Sequence, residues 1–413
     1  MGPIVALDSC TLSSVPGTDP NEESPRRSAP WSKTQPAYAG SYLSIGLAGL
    51  GVIGLVVAVA SRPTLARAAA SQDWPPFVLV TGLLLIGRVA NDDGLFAAAG
   101  DRLARVASNG GVLFLGVTVL VGVVTAVLNL DTSVAFLTPV LVYTARTRGG
   151  GEGPLLYGCL LMSNAGSLLL TGSNLTNLIV LGHSHLSGAG FLASMWAPAL
   201  TALVVTAAVV ALLERRDLGT KARTTTKLTH PIIGVGVAGV VCATVLVVVL
   251  PNPAIAVVAV GVAATAYRLV ARKDRARDVL ETLGAPTLAG LFGVAVALGT
   301  LGRAWSWPAS FMGHLDLWAT AGIAAASAVL VNNLPAASLL ASRTPAHPLA
   351  LLIGLNLGPN LFVTGSLAWL LWLRAGRAAG AVPSVWRASR IGIVAVPLSM
   401  VAALGVLLLT GAS

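Results

Sequence analysis

Asp131 stands in the stretch LNLDTSVAFLTP, 128–139, with Asn129 two residues before it and Thr132 directly after. A carboxylate flanked by an amide and a hydroxyl can take up and release a proton and can hydrogen-bond a small solute. A second stretch, VNNLPAASLLASRTP, 331–345, offers Asn332 and Asn333. Two further stretches share Thr-Gly-Ser: SLLLTGSNLTN, 167–177, with Ser173, Asn174, Thr176 and Asn177, and NLFVTGSLAWL, 360–370, with Thr364, Gly365 and Ser366. Together these side chains give neutral donors and acceptors, one carboxylate and no fixed cation. That set suits a neutral, polyol-like solute better than a carboxylate.

These residues sit in apolar surroundings. The chain has 413 residues, 55% apolar and 10% charged, with a mean hydropathy of +0.81. Soluble domains carry about 25% charged residues, so the composition predicts an integral membrane protein. A span needs about 20 mostly apolar residues. Full spans are predicted at 41–60, 74–91, 154–182, 191–213, 231–250, 254–270, 284–302, 348–374 and 391–410. Two other apolar runs, 111–128 and 315–331, each end in a polar cluster followed by a shorter apolar stretch. That is the pattern of a re-entrant hairpin, whose non-helical tip is tolerated only against protein or a wet cavity.

Charge supports this layout. With the N-terminal tail inside and both runs read as hairpins, 22 of the 26 Lys and Arg fall on the inner side, as the positive-inside rule demands. The same rule accounts for the net charge of +10 without nucleic acid. The order of polar tip and then broken span occurs twice, with an odd number of spans between. The fold class expected is therefore an all-α integral membrane protein: an inverted-repeat secondary transporter with two re-entrant hairpins and two discontinuous helices. Such repeats build a midplane site from broken helices, whose half-helix ends face the solute. The organisation expected is a disordered cytoplasmic tail (1–40), a first membrane repeat (41–213), a cytoplasmic linker (214–230) and a second, inverted repeat (231–413).

At these residues the sequence resembles the arsenite efflux permease family of the ion-transporter superfamily. NLGPNLFVTGSLAWLLWLRAGR, 356–377, is similar to that family's late motif, and NNLPA, 332–336, to its Asn-Asn-Leu-Pro hairpin. LDTSVAFLTPV, 130–140, resembles its first hairpin, and SNLTNLIV, 173–180, its first break. The chain departs by placing Leu130 between Asn129 and Asp131. The resemblance implies export of arsenite or antimonite, As(OH)₃ being such a polyol-like solute, driven by the proton gradient. The alternative is a Na⁺- or H⁺-coupled carrier for an organic or inorganic anion.

The substrate- and ion-binding set expected is Asn129, Asp131, Thr132, Ser173, Asn174, Asn177, Asn332, Asn333, Thr364, Gly365 and Ser366. Asp131 is the proton-coupling residue, as the one acid of 16 read as lying well inside an embedded element. An unpaired charge at depth costs several kcal/mol, and taking up a proton is the chemical way to tolerate burial. No metal or cofactor is expected: His183 and His185 lack a third ligand nearby, and Cys10, Cys159 and Cys242 form no CxxC pair. No HExxH, Walker A or GxSxG signature indicates an enzyme. The partners expected are the lipid bilayer and a small inorganic solute, with a separate cytoplasmic ATPase subunit and a second copy of the chain left open, and no nucleic acid. The location expected is the cell inner (plasma) membrane, multi-pass, with a cytoplasmic N-terminus. The segment 92–108 reads as an amphipathic helix along the inner interface.

Overall fold

A computed structural model describes residues 39–182, 186–219, 234–250, 252–271, 275–305 and 307–411. The tail, most of the 214–230 linker, and His183 and His185 lie outside the described residues. The described residues belong to one compact unit, within which both halves of the membrane region lie. They are helical, with no strand among them. Five segments are long and apolar enough to cross a membrane: Pro63–Asp92, Gly110–Val127, Gly188–Leu213, Ala276–Ala304 and Val385–Leu409. Five shorter apolar helices join them.

Before the first tip run α1 (Ala39–Ser61), α2 (Pro63–Asp92) and α3 (Leu95–Val106). The α3 helix falls within the predicted 92–108 amphipathic segment. The α2 helix is longer than the predicted span at 74–91, because it continues through Pro75 and Pro76. A proline inside a helix removes one backbone hydrogen bond and crowds the preceding turn. The α2 helix packs chiefly against α10, α11 and α13, with α1 beside it. One expectation is thereby corrected. Asp73 lies within this long apolar helix and is only 2% exposed, so Asp131 is not the sole acid inside such an element.

Two similar units follow. The first is α4 (Gly110–Val127), α5 (Leu130–Thr147), α6 (Gly153–Gly166), a 3₁₀ turn at Thr171–Ser173, α7 (Leu175–Leu181) and α8 (Gly188–Leu213). The short α9 (Arg215–Leu218), α10 (Val235–Val249), α11 (Ala254–Val270), α12 (Ala276–Leu283), α13 (Ala285–Ala304) and α14 (Trp307–Met312) lie between. The second unit is α15 (Leu317–Val331), α16 (Asn333–Leu340), α17 (Pro348–Leu357), a 3₁₀ turn at Gly358–Leu361, α18 (Leu367–Ala378) and α19 (Val385–Leu409).

The units share their local chemistry as well as their order. Each tip is an asparagine at positive φ, Asn129 (156°) and Asn332 (77°), the two non-glycine residues of that kind among the described residues. With ψ of 173° and 148°, both lie in or beside a region of backbone space otherwise kept for glycine, a local strain held by the surrounding structure. Each also caps the helix it starts: the Asn129 Oδ1 accepts from the Thr132 amide at 2.7 Å and the Asn332 Oδ1 from the Leu334 amide at 3.4 Å. Asn is among the preferred N-cap residues for that reason. Each unit ends in a long apolar helix holding one internal proline, Pro198 in α8 and Pro397 in α19, and these two helices pack together.

The units also exchange partners. The α5 helix packs on α18 of the other unit, and α16 on α7. Arg146, at the end of α5, donates to the carbonyls of Ala379 and Gly380 just past α18, at 2.8 Å each. Basic side chains satisfy the free carbonyls at a helix end in this way. The α5 and α18 helices are therefore tied together at their C-terminal ends.

Candidate functional site

A small cavity lies where four helices begin. Leu130 and Asp131 open α5. Asn174, Leu175 and Thr176 cap and open α7. Asn332, Asn333 and Leu334 do so for α16, and Ser366 and Leu367 for α18; Leu291 of α13 completes the wall. The first turn of a helix leaves backbone N–H groups without intrahelical partners and carries the positive end of the helix dipole. Four such ends border one cavity, and their dipoles favour negative charge within it. The Thr132, Thr176 and Leu334 amides are held by the capping asparagines, and the Asn333 amide by the Gly365 carbonyl. The cavity holds about 20 Å³, room for a single water. A larger solute requires the helix starts to separate.

The lining side chains divide by what they already bond. Asn174 is committed at both ends of its amide: its Oδ1 accepts from the Thr176 amide at 3.1 Å, and its Nδ2 donates to the Asn356 Oδ1 at 2.6 Å. Asn332 donates from Nδ2 to the Thr364 carbonyl at 3.1 Å, and the Asn333 amide donates to the Gly365 carbonyl at 2.9 Å. The Thr176 and Ser366 hydroxyls, by contrast, are buried without a hydrogen-bond partner, at 0% and 2% exposure. An unsatisfied buried hydroxyl costs about 1–3 kcal/mol, and a bound solute would relieve it. Asp131 forms no ion pair among the described residues.

Of the eleven residues expected at the site, five line this cavity: Asp131, Asn174, Asn332, Asn333 and Ser366. Six do not. Asn129 sits at its tip with Nδ2 unpartnered. Thr132 is buried with its methyl group against α2 at Gly87. The Ser173 hydroxyl donates to the carbonyls of Ser167 and Leu170. The Asn177 Nδ2 donates to the same two carbonyls, at 2.7 and 3.2 Å. Thr364 donates to the Val329 carbonyl at 2.6 Å, and Gly365 packs on Pro359.

The expected site set leaves out the residues that join the two breaks. Asn356 accepts at Oδ1 from Ser167 Oγ and Asn174 Nδ2, both at 2.6 Å, and donates to Asn177 Oδ1 at 2.9 Å and to the Leu352 carbonyl at 2.8 Å. Asn164 Nδ2 donates to Asn360 Oδ1 at 2.9 Å, and Asn360 Nδ2 to the Leu161 carbonyl at 3.0 Å. The available signal was the occurrence of amides within otherwise apolar helices, where each must find a partner. Nothing in the order of residues states that those partners lie in the other unit.

The sequence pattern of the CitMHS family, described as citrate transporter, matches residues 34–372. The chain belongs to that family. It is a multi-pass membrane secondary transporter. The chain is 28% identical over 137 residues to the inner membrane protein YbiR of Escherichia coli (strain K12); that segment is 33% of this chain and spans 37% of YbiR. It also shares the fold of the Alcanivorax borkumensis YdaH transporter, described as having an unusual topology. The TM-score is 0.54 at 13% identity, covering 88% of this chain and 97% of YdaH. Membership of a transporter family thus stands, while the arsenical specificity implied by the arsenite-permease resemblance is not carried by these matches.

Proposed function

We propose that the chain is an inner-membrane secondary carrier that moves a small anion together with protons. The observation that supports this reading is the meeting of four helix N-termini at one cavity with Asp131 in its wall. Helix starts attract an anion, whereas an ionised Asp131 repels it. Two like charges in a desolvated site cost several kcal/mol. Protonation of Asp131 removes the repulsion, so anion and proton occupy the site together and cross together. The family's description makes citrate the first solute to test, and YbiR, an inner membrane protein, supports the location.

The two asparagine tips are the ends of re-entrant hairpins in this reading, and the two units are inverted repeats. The cross-pairing of α5 with α18 and of α16 with α7 favours that arrangement. Alternating access then follows from movement of the tips relative to the breaks.

Proton-driven export of arsenite or antimonite is the second reading. It is favoured by one observation: no Lys or Arg is among the lining residues. Proteoliposomes with an imposed pH gradient distinguish the two. Radiolabelled citrate, other di- and tricarboxylates, phosphate and arsenite are offered in turn. Accumulation of an anion with the proton gradient, and none of arsenite, is expected. Accumulation of arsenite alone overturns the anion reading.

A further inference from the structure

A second recess, of about 530 Å³, lies away from the central cavity where α8 ends and α19 begins. It is lined by Leu212, Leu213, Glu214, Arg215, Arg216, Asp217 and Arg387. Its two acids are already engaged. Arg387 donates to both carboxylate oxygens of Glu214, from Nε at 2.8 Å and from Nη2 at 2.6 Å, and lies 3.5 Å from Asp217. The same guanidinium sits 5.4 Å above the ring of Tyr157. Glu214 is also pressed against the start of α6, where a Cβ at Gly153 would meet its Oε2. Glu214 is therefore fixed from two sides and does not turn to its neighbours. Arg215 and Arg216 are exposed and form no ion pair among the described residues.

The rest of the wall, and the tryptophan beside it, have the composition of a membrane boundary. Leu212 is 63% exposed at the end of the spanning helix α8, and Leu213 is exposed beside it. Trp386, adjacent to Arg387 at the start of α19, is 67% exposed. Exposed leucines suit acyl chains, and tryptophan gathers at the headgroup level. Two guanidinium groups without an ion-pair partner among the described residues, close in the chain to such an apolar surface, match a phosphodiester, because arginine binds phosphate through paired N–H donors.

We propose that this recess binds the phosphate of an anionic phospholipid, with the acyl chains along Leu212 and Leu213. The bound lipid bridges α8 and α19, the two long helices that close the two repeated units. Native mass spectrometry of the full chain released from nanodiscs of equimolar phosphatidylglycerol and phosphatidylcholine tests this. Preferential retention of phosphatidylglycerol is expected. Arg215→Gln/Arg216→Gln should lower that preference about tenfold or more, since each arginine near an anionic surface counts for roughly a fivefold change. Thermal stability of this variant in phosphatidylcholine alone should match the unsubstituted chain, which shows that it is folded. Arg374→Gln/Arg377→Gln, at the end of α18 and outside the recess, should leave the preference intact. Equal retention of the two lipids by the unsubstituted chain overturns the proposal, as does an unchanged preference in the Arg215→Gln/Arg216→Gln variant. Displacement of phosphatidylglycerol by millimolar inorganic phosphate would identify a soluble ligand and also overturn it.

Discussion

The two tip-and-break units share a scaffold and differ in chemistry. Each has a positive-φ asparagine cap, a 3₁₀ turn in its break and a proline-containing helix at its end. The first unit carries the acid, Asp131, and its break is buried, with Ser173 and Asn177 spent on backbone carbonyls. The second carries no acid at its tip, and its break leaves the Ser366 hydroxyl unspent at the cavity. The difference teaches that similar sequence motifs need not share a role. One unit places a carboxylate in the cavity wall and the other a serine whose hydroxyl has no internal partner. Asn356 joins them by accepting from Ser167 and Asn174 at once.

The largest effect expected is from Asp131→Asn, which keeps size and hydrogen bonding but cannot titrate. Accumulation of solute driven by a pH gradient should fall to the equilibrated level, while exchange at equal pH persists. Gradient-driven accumulation by this variant, measured in proteoliposomes, would show that the first unit does not carry the coupling charge.

Next is the contact of each break with its surroundings. A Cβ at Gly392 would lie 1.8 Å from the Asn360 carbonyl oxygen, so α19 rests directly on the second break. Gly392→Ala should cost about 3 kcal/mol, the upper part of the range for overpacking, and should lose transport. At the first break, a Cβ at Gly166 meets its nearest neighbour at 3.3 Å, so Gly166→Ala should cost less. Gly405→Ala, on α19 with nothing within 4 Å, should stay within about 0.5 kcal/mol. Unfolding monitored in detergent orders the three. A Gly166→Ala cost equal to that of Gly392→Ala would remove the contrast between the breaks.

Asn356→Leu tests the join itself. It strips partners from the buried Ser167, Asn174 and Asn177 side chains together. The expected loss is about 2–3 kcal/mol, as for leaving buried polar groups unsatisfied, with a weaker apparent affinity because Asn174 lines the cavity. Stability loss without any change in affinity would confine Asn356 to scaffolding.

Much of this was legible in the sequence, because lipid leaves few options. Apolar runs, interrupted by amides and Thr-Gly-Ser, mark helices that break, and α6–α7 and α17–α18 break at those places. At each tip the asparagine, not Asp131, caps the helix that follows. Asp73 escaped notice because the predicted span opened at residue 74, whereas α2 begins at Pro63 and runs on through Pro75 and Pro76. The roles of Ser173 and Ser366 could not be separated, since both read Thr-Gly-Ser. Which hydroxyl turns to a carbonyl depends on how each chain folds back after the turn. That four helix starts border one cavity is also a backbone feature, which side-chain types do not display.

That separation gives the smallest and most specific prediction. The Ser173 hydroxyl donates to the Ser167 and Leu170 carbonyls, which also accept from Asn177. Ser173→Ala leaves both carbonyls with a remaining donor, so the cost should be near 1 kcal/mol of stability, with the KM for the transported anion unchanged. The Ser366 hydroxyl has no internal partner, and Ser366 lines the cavity. Ser366→Ala removes no internal bond and should not destabilise the fold. It removes one neutral donor from the solute, about 0.5–1.5 kcal/mol, which raises KM by up to about tenfold. Transport kinetics and unfolding measured on the same two preparations make the test double. The stability loss should fall on one serine and the affinity loss on the other. If both serines shift KM alike with stability intact, both face the solute in the working protein, and the two breaks share a role after all.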